Sequence, residues 1–227
     1  MHTNENTTVA EIAAASLAAV RVFERLEIDY CCGGKRPLAE VCHQKGYDAQ
    51  AVRRELDEAA KENTDGTRDW NTAPLGELIN HIVNTHHAYL NRELPALSAR
   101  LEKVYRVYNQ KYGDTLLGLP EVFGYLRSEL ETHMQKEEML LFPAIAAHRP
   151  FDALANAVGI MEAEHESAGK ALVKIREITH NFQIPAYACV TYRALINGLQ
   201  ELEEDLHIHI HLENNVLFPR AMQRDVS

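Results

Sequence analysis

Apolar residues return every three or four positions over most of the chain, and no run of alternating β-branched residues competes with that period. The pattern predicts an all-α fold. Val9 to Glu27 reads as an Ala-rich amphipathic helix that stops at Asp29-Tyr30-Cys31-Cys32-Gly33-Gly34, where paired glycines break the period. Pro37 suits the first turn of a short helix through His43, and Asp48 caps a third helix running to about Ala60. From Asn63 to Pro74 the chain turns polar, which reads as a linker between a small helical domain over 1–66 and a second domain over 72–224. There Pro74 to Tyr108, Leu119 to Ala147, Phe151 to His180 and Ala188 to Met222 read as long amphipathic helices with short loops, the pattern of a four-helix bundle.

The second and fourth of these helices repeat one another. His133-Met-Gln-Lys-Glu137-Glu-Met-Leu-Leu141-Phe142-Pro143 aligns with His209-Ile-His-Leu-Glu213-Asn-Asn-Val-Leu217-Phe218-Pro219, and upstream Leu126 and Leu130 align with Leu202 and Leu206. A pseudo-two-fold bundle follows. Along the fourth helix the apolar stripe Leu195, Leu199, Leu202, Leu206 runs on into His209, Glu213 and Val216. The second helix continues Leu126 and Leu130 into His133, Glu137 and Leu141, and the third carries His165 between Met161 and Leu172. On the first helix His87, with Val83, Leu90 and Leu94 at helical spacing, keeps more apolar company than His86.

A single histidine on an apolar face is ordinarily a hydrogen-bonded core residue. Four in one layer, with two carboxylates, are different: each carboxylate would cost several kcal/mol to bury without a counter-charge. A metal supplies that charge, and i, i+4 spacing lets His and Glu on one helix reach a common centre. Six nitrogen and oxygen ligands exceed what one tetrahedral zinc uses, so two metals are implied, with iron suited to the donor set and manganese its competitor. Other bundle di-iron proteins place histidine three residues after a glutamate. Here histidine leads by four and the set is nitrogen-rich. Glu138 lies off the stripe and is expected to support a ligand or face solvent. His207 and His211 are expected to be exposed or supporting, and His43, His81, His148 and His180 carry no pattern.

Composition narrows the partners. A formal charge of −10 without any Lys/Arg run argues against nucleic acid. The polar start, Met1 to Thr8, fits neither a signal peptide nor a membrane anchor, so a cytoplasmic location without membrane contact is the expectation. Four cysteines without framework spacing suit a reducing compartment. Cys31 and Cys32 are adjacent, and the disulfide they would form is strained and easily reduced. Lys35, Arg36 and a following helix N-terminus are expected to lower their thiol pKa values, favouring nucleophilic chemistry or transient binding of iron or a nitrosyl. Cys42 and Cys189 read as structural.

The chain resembles the RIC (repair of iron centres) family, whose members join a short vicinal-cysteine domain to a hemerythrin-like di-iron domain. The residues that carry the resemblance are Asp29 to Lys35, the run from His133 to Pro143, Glu164-His165, and Leu212 to Pro219. It implies a hemerythrin-like four-helix bundle, with two non-haem irons, bridged by carboxylates and an oxo or hydroxo group, on His87, His133, Glu137, His165, His209 and Glu213, the set that periodicity also picks out. Oxygen-carrying hemerythrins usually place a further histidine four residues after the one on the third helix; Gly169 stands there. That departure points away from oxygen carriage and toward a centre that reacts with nitric oxide or releases iron.

Implied, therefore, is a stress protein that repairs iron–sulfur clusters damaged by nitrosative or oxidative stress, by donating iron, with damaged iron–sulfur proteins as partners. Nitric oxide reduction at the di-iron site and sensing of oxygen or nitric oxide are the competing readings. A short cysteine domain with little core of its own would favour a homodimer through that domain.

Overall fold

The computed structural model describes residues 6–62, 68–112, 116–149 and 151–223. Among them all regular elements are helical, apart from an isolated bridge between Thr8 and Pro37. The expected linker's first residues, 63–67, and the expected domain end at 224 lie outside the described residues.

The first expected helix is two helices, α1 (Val9–Ala15) and α2 (Leu17–Arg25). Ser16 between them is extended, at φ −160 and ψ 118, so the Ala-rich period that looked continuous is broken by one residue. Serine competes poorly for mid-helix positions and well for caps. Thr8 caps α1 reciprocally: Glu11 N–H donates to Thr8 Oγ1 at 3.2 Å, and Thr8 N–H donates to Glu11 Oε2 at 2.8 Å. α3 (Leu38–Lys45) ends at Gly46, whose φ of +74 is the left-handed cap glycine favours, and α4 (Ala49–Glu62) starts after Asp48, whose carboxylate accepts from Gln50 N–H.

Each of the first, second and fourth long helices is interrupted by a π-helical turn. α5 (Leu75–Ile82) passes through π1 (Val83–His87) into α6 (Ala88–Tyr112). α7 (Leu119–Lys136) passes through π2 (Glu137–Leu141) into α8 (Phe142–Ala146), and after α9 (Phe151–Ile178), α10 (Val190–His211) passes through π3 (Leu212–Leu217) into α11 (Phe218–Met222). Proline offers a local cause in the last two. Pro143 and Pro219 lack an N–H and crowd the carbonyl four residues back, on Met139 and Asn215, and both of those residues lie inside the widened turns.

The chain divides into two compact units, Asn80–Leu206 and Met1–Ile79 with His207–Ser227. In the first, the leucine stripes of α6, α7, α9 and α10 interlock around Leu97, Leu126, Leu130, Leu172 and Leu202. A Cβ on Gly198 would lie 2.8 Å from Leu97 Cδ2, so glycine permits the close approach of α10 to α6. In the second unit Phe23, Ile28, Tyr30, Leu38 and Leu56 form a core completed by Ile210 from the far end of the chain. Arg220 on α11 donates to the carbonyls of Trp70 and Ala73 and ties the C-terminal helix to the segment before α5.

Candidate metal centre

Within Asn80–Leu206 the structure gathers four of the expected ligands. His87 ends π1, His133 lies in the last turn of α7, Glu137 opens π2, and His165 sits mid-way along α9; all four are buried. His133, Glu137 and His165 each offer a ligand atom, and these atoms lie within 4.8 Å of one another. The Nε2 atoms of His133 and His165 are 3.0 Å apart. Glu137 presents one oxygen on each side: Oε2 is 3.3 Å from His87 Nε2, and Oε1 is 3.4 Å from His133 Nε2.

The outer ring nitrogens decide what these contacts mean. His87 Nδ1 donates to Glu138 Oε1 at 2.7 Å, and His133 Nδ1 donates to Glu164 Oε2 at 2.9 Å. With the proton on Nδ1, each neutral imidazole turns its Nε2 lone pair inward. Lone pairs then face the Glu137 carboxylate, whose oxygens are both fully buried and receive no hydrogen bond. Such a carboxylate costs several kcal/mol in protein alone. A cation among these atoms removes the cost. Two ligands each about 2.1 Å from one ion and at a right angle lie about 3 Å apart, the spacing found between the two imidazoles. The donor set therefore fits a metal.

The supporting carboxylates are themselves held. Burial works against the charge of Glu164, but hydrogen bonds from Lys136 and His133 outweigh it and keep the carboxyl below its usual range. Glu138 is 41% exposed and still reaches His87. Phe142 stacks on the His87 ring at 5.8 Å between centroids, which gives the Phe of the Leu-Phe-Pro run a packing role. His86, adjacent in sequence, bonds instead to Asp205 through Nδ1 at 2.9 Å.

His209 and Glu213 lie in the other unit, on α10 and π3, with His209 Nε2 3.1 Å from Glu213 Oε1 and both side chains buried. There the cysteine turn meets the C-terminal helix. Asn214 Nδ2 donates to the Cys31 carbonyl at 3.3 Å, and Asn215 Nδ2 donates to the Tyr30 carbonyl at 3.0 Å. Tyr30 O–H donates to Glu24 at 2.6 Å, and burial followed by the Glu24 charge raises its pKa. Asp29 gathers the N–H groups of Cys31, Cys32 and Gly33 at 3.0, 3.0 and 2.9 Å.

Three expectations change. The Cys31 thiol is not activated by basic neighbours: its hydrogen bond with Cys32, its burial and the Asp29 carboxylate push its pKa well above the ordinary value, and Arg36 is engaged by Glu40. His211 is not exposed, and its Nδ1 accepts from Asn215 Nδ2 at 2.9 Å. It is buried against the Tyr30 ring at 5.5 Å, and burial lowers its pKa to about 4. Cys189 is not structural packing but exposed, just before α10, with a pKa lowered first by the Tyr108 hydroxyl and then by N–H groups at that helix start. Cys42 is buried. Asp205 was missed, and Glu164, read only as part of the family motif, was given no role there; the structure sets them on His86 and His133 respectively.

Comparison with known proteins agrees with the geometry. Residues 78–221 match the family model described as the hemerythrin HHE cation binding domain, and residues 5–60 match ScdA_N, a domain of unknown function (DUF542). Proteins named iron-sulfur cluster repair protein YtfE from Citrobacter koseri and Escherichia coli O157:H7 are each 40% identical over 214 residues, 94% of this chain and 96% of theirs. Among the described residues no helix is long and apolar enough to cross a membrane.

Proposed function

Because the chain belongs to the hemerythrin HHE family and carries a metal-binding donor set, we propose that it repairs iron–sulfur clusters damaged by nitrosative or oxidative stress, as its relatives are named to do. The observation that carries this reading is Glu137, a buried carboxylate without a hydrogen-bond donor, faced by imidazole lone pairs on both sides. The six ligands are His87, His133, Glu137, His165, His209 and Glu213, all within the span that the cation-binding family model matches. Iron held there, two ions per chain, would supply a redox-active centre that takes up nitric oxide or oxygen and yields iron to a damaged protein.

The chain's own residues do the positioning. Glu138 and Glu164 fix the His87 and His133 tautomers and aim their Nε2 atoms inward. Leu130, Met134 and Leu141, which precede and follow Glu137 at helical spacing, are buried as it is. Gly169 supplies no seventh side-chain donor, which leaves the set open to an exogenous ligand and to release.

The test uses a cluster enzyme inactivated by nitric oxide, mixed with the iron-loaded full chain. Recovery of its activity where equal free ferrous iron fails, and loss of that recovery in His133→Ala, is the expected result. Equal rescue by free iron sinks the proposal, and catalytic release of nitrous oxide without cluster recovery would favour the reductase reading instead.

A further inference from the structure

Within the unit formed by Met1–Ile79 and His207–Ser227, the sulfur atoms of Cys31 and Cys32 lie 3.8 Å apart. The peptide joining these residues is held at both ends. Its carbonyl, on Cys31, accepts from Asn214 Nδ2 at 3.3 Å, and its N–H, on Cys32, donates to Asp29 Oδ1 at 3.0 Å. Asn214 follows Glu213 directly on π3 and is buried. The turn packs closely on itself: a Cβ on Gly34 would fall 2.5 Å from the Tyr30 carbonyl oxygen, and one on Gly33 would fall 2.8 Å from Asp29 Oδ2.

A disulfide bond is about 2.05 Å long. The ring that closes between adjacent cysteines contains the carbonyl carbon and nitrogen of the very peptide that Asn214 and Asp29 hold, so drawing the sulfurs together must turn that peptide. We propose that Cys31 and Cys32 are a two-electron oxidation site for a peroxide or a small disulfide, and that its closure frees Asn214 from the cysteine turn and loosens π3, and Glu213 with it. The consequence at Glu213 rests on the ligand set proposed above; the release of Asn214 does not.

With hydrogen peroxide, the half-exposed Cys32 sulfur attacks one oxygen, the O–O bond breaks and the departing hydroxide leaves as water with the Cys32 proton, giving a sulfenic acid. The Cys31 sulfur then attacks that sulfur, the S–O bond breaks, and a second water carries away the hydroxyl with the Cys31 proton. Two electrons pass from the sulfurs to the peroxide.

The experiment oxidises the metal-free full chain with dithiodipyridine, which spares any iron chemistry, and follows amide hydrogen exchange with peptide mapping. A 31–32 disulfide should form, exchange over 212–217 should quicken about fivefold, as expected from losing one hydrogen bond, and dithiothreitol should reverse it. Residues 195–206 should not change. Cys32→Ser should abolish the response, and Asn214→Ala should show the faster exchange while reduced. In iron-loaded protein, oxidation should also speed transfer of iron to a chelator. A mapped 31–32 disulfide with unchanged exchange at 212–217 overturns the switch, as does pairing only between chains. Faster exchange with unaltered iron retention supports the switch and overturns Glu213 as a ligand.

Discussion

In His133–Pro143 the three residues that follow the glutamate face water, whereas in His209–Pro219 the matching residues are buried or half-buried. Glu138 is 41% exposed in side chain, and Met139 and Leu140 are 75% and 68% exposed. Their counterparts Asn214 and Val216 are buried, and Asn214 and Asn215 donate to the cysteine turn. The shared features are the inner ones: a histidine and glutamate one turn apart, a π turn beginning at or just before the glutamate, and Leu-Phe-Pro closing it. One copy spends its outer face on a carboxylate that orients His87, and the other spends it on the backbone of Tyr30 and Cys31. A repeated inner pattern thus tells where donors lie, and the outer residues tell what each copy serves.

The sharpest way to break the comparison is to remove an inner carboxylate. Glu137→Leu should abolish most iron binding, read as metal per chain, and yet stabilise the metal-free protein by about 1–4 kcal/mol in denaturant unfolding, since a buried charge without donors is replaced by apolar volume. A destabilised metal-free variant would mean that Glu137 is paired in some way the geometry does not show. Outer residues should separate by kind of effect. Glu138→Ala should lower metal affinity about 10- to 100-fold in competition with a chelator, while Asn214→Ala should cost about 1–2 kcal/mol of unfolding free energy because a buried carbonyl loses its donor.

Apolar positions give a smaller contrast. Val216→Ser should cost about 1–3 kcal/mol, whereas Met139→Ser and Leu140→Ser should stay within about 0.5 kcal/mol; thermal unfolding of the metal-free proteins would rank them. Smallest is a difference in reactivity among the cysteines. Cys189, exposed and with a lowered pKa, keeps more thiolate as pH falls, so its alkylation should persist below the range of a free cysteine near 8.5. Cys31 and Cys42, both buried with raised values, should lag at every pH, as mass spectrometry of timed alkylation would register.

Much of the bundle is legible in the chain because helical burial repeats locally: Leu126, Leu130, His133 and Glu137 announce one face whatever they pack against. His87 stands out from His86 on the same ground, and the structure turns His87 toward Glu137 and His86 toward Asp205. Ser16 was not legible as a break, since its alanine-rich neighbours keep an amphipathic period across it. The π turns were also hidden. An extra residue in one turn leaves the spacing of leucines on either side nearly intact, and only Pro143 and Pro219 hint at it.

Period, proline and glycine positions, and the placing of His and Glu on apolar stripes are properties of neighbouring residues, and the sequence by itself determined them. Partnerships between residues far apart in the chain were decided only by tertiary structure. Nothing local says that Asn214 will meet the Cys31 carbonyl, that Glu164 will orient His133, or that His211 will lie against Tyr30. The cysteine thiols show the physical reason. Their pKa values depend on burial and on which charges stand within a few ångströms, and folding buried the Cys31 thiol and brought the Tyr108 hydroxyl to Cys189.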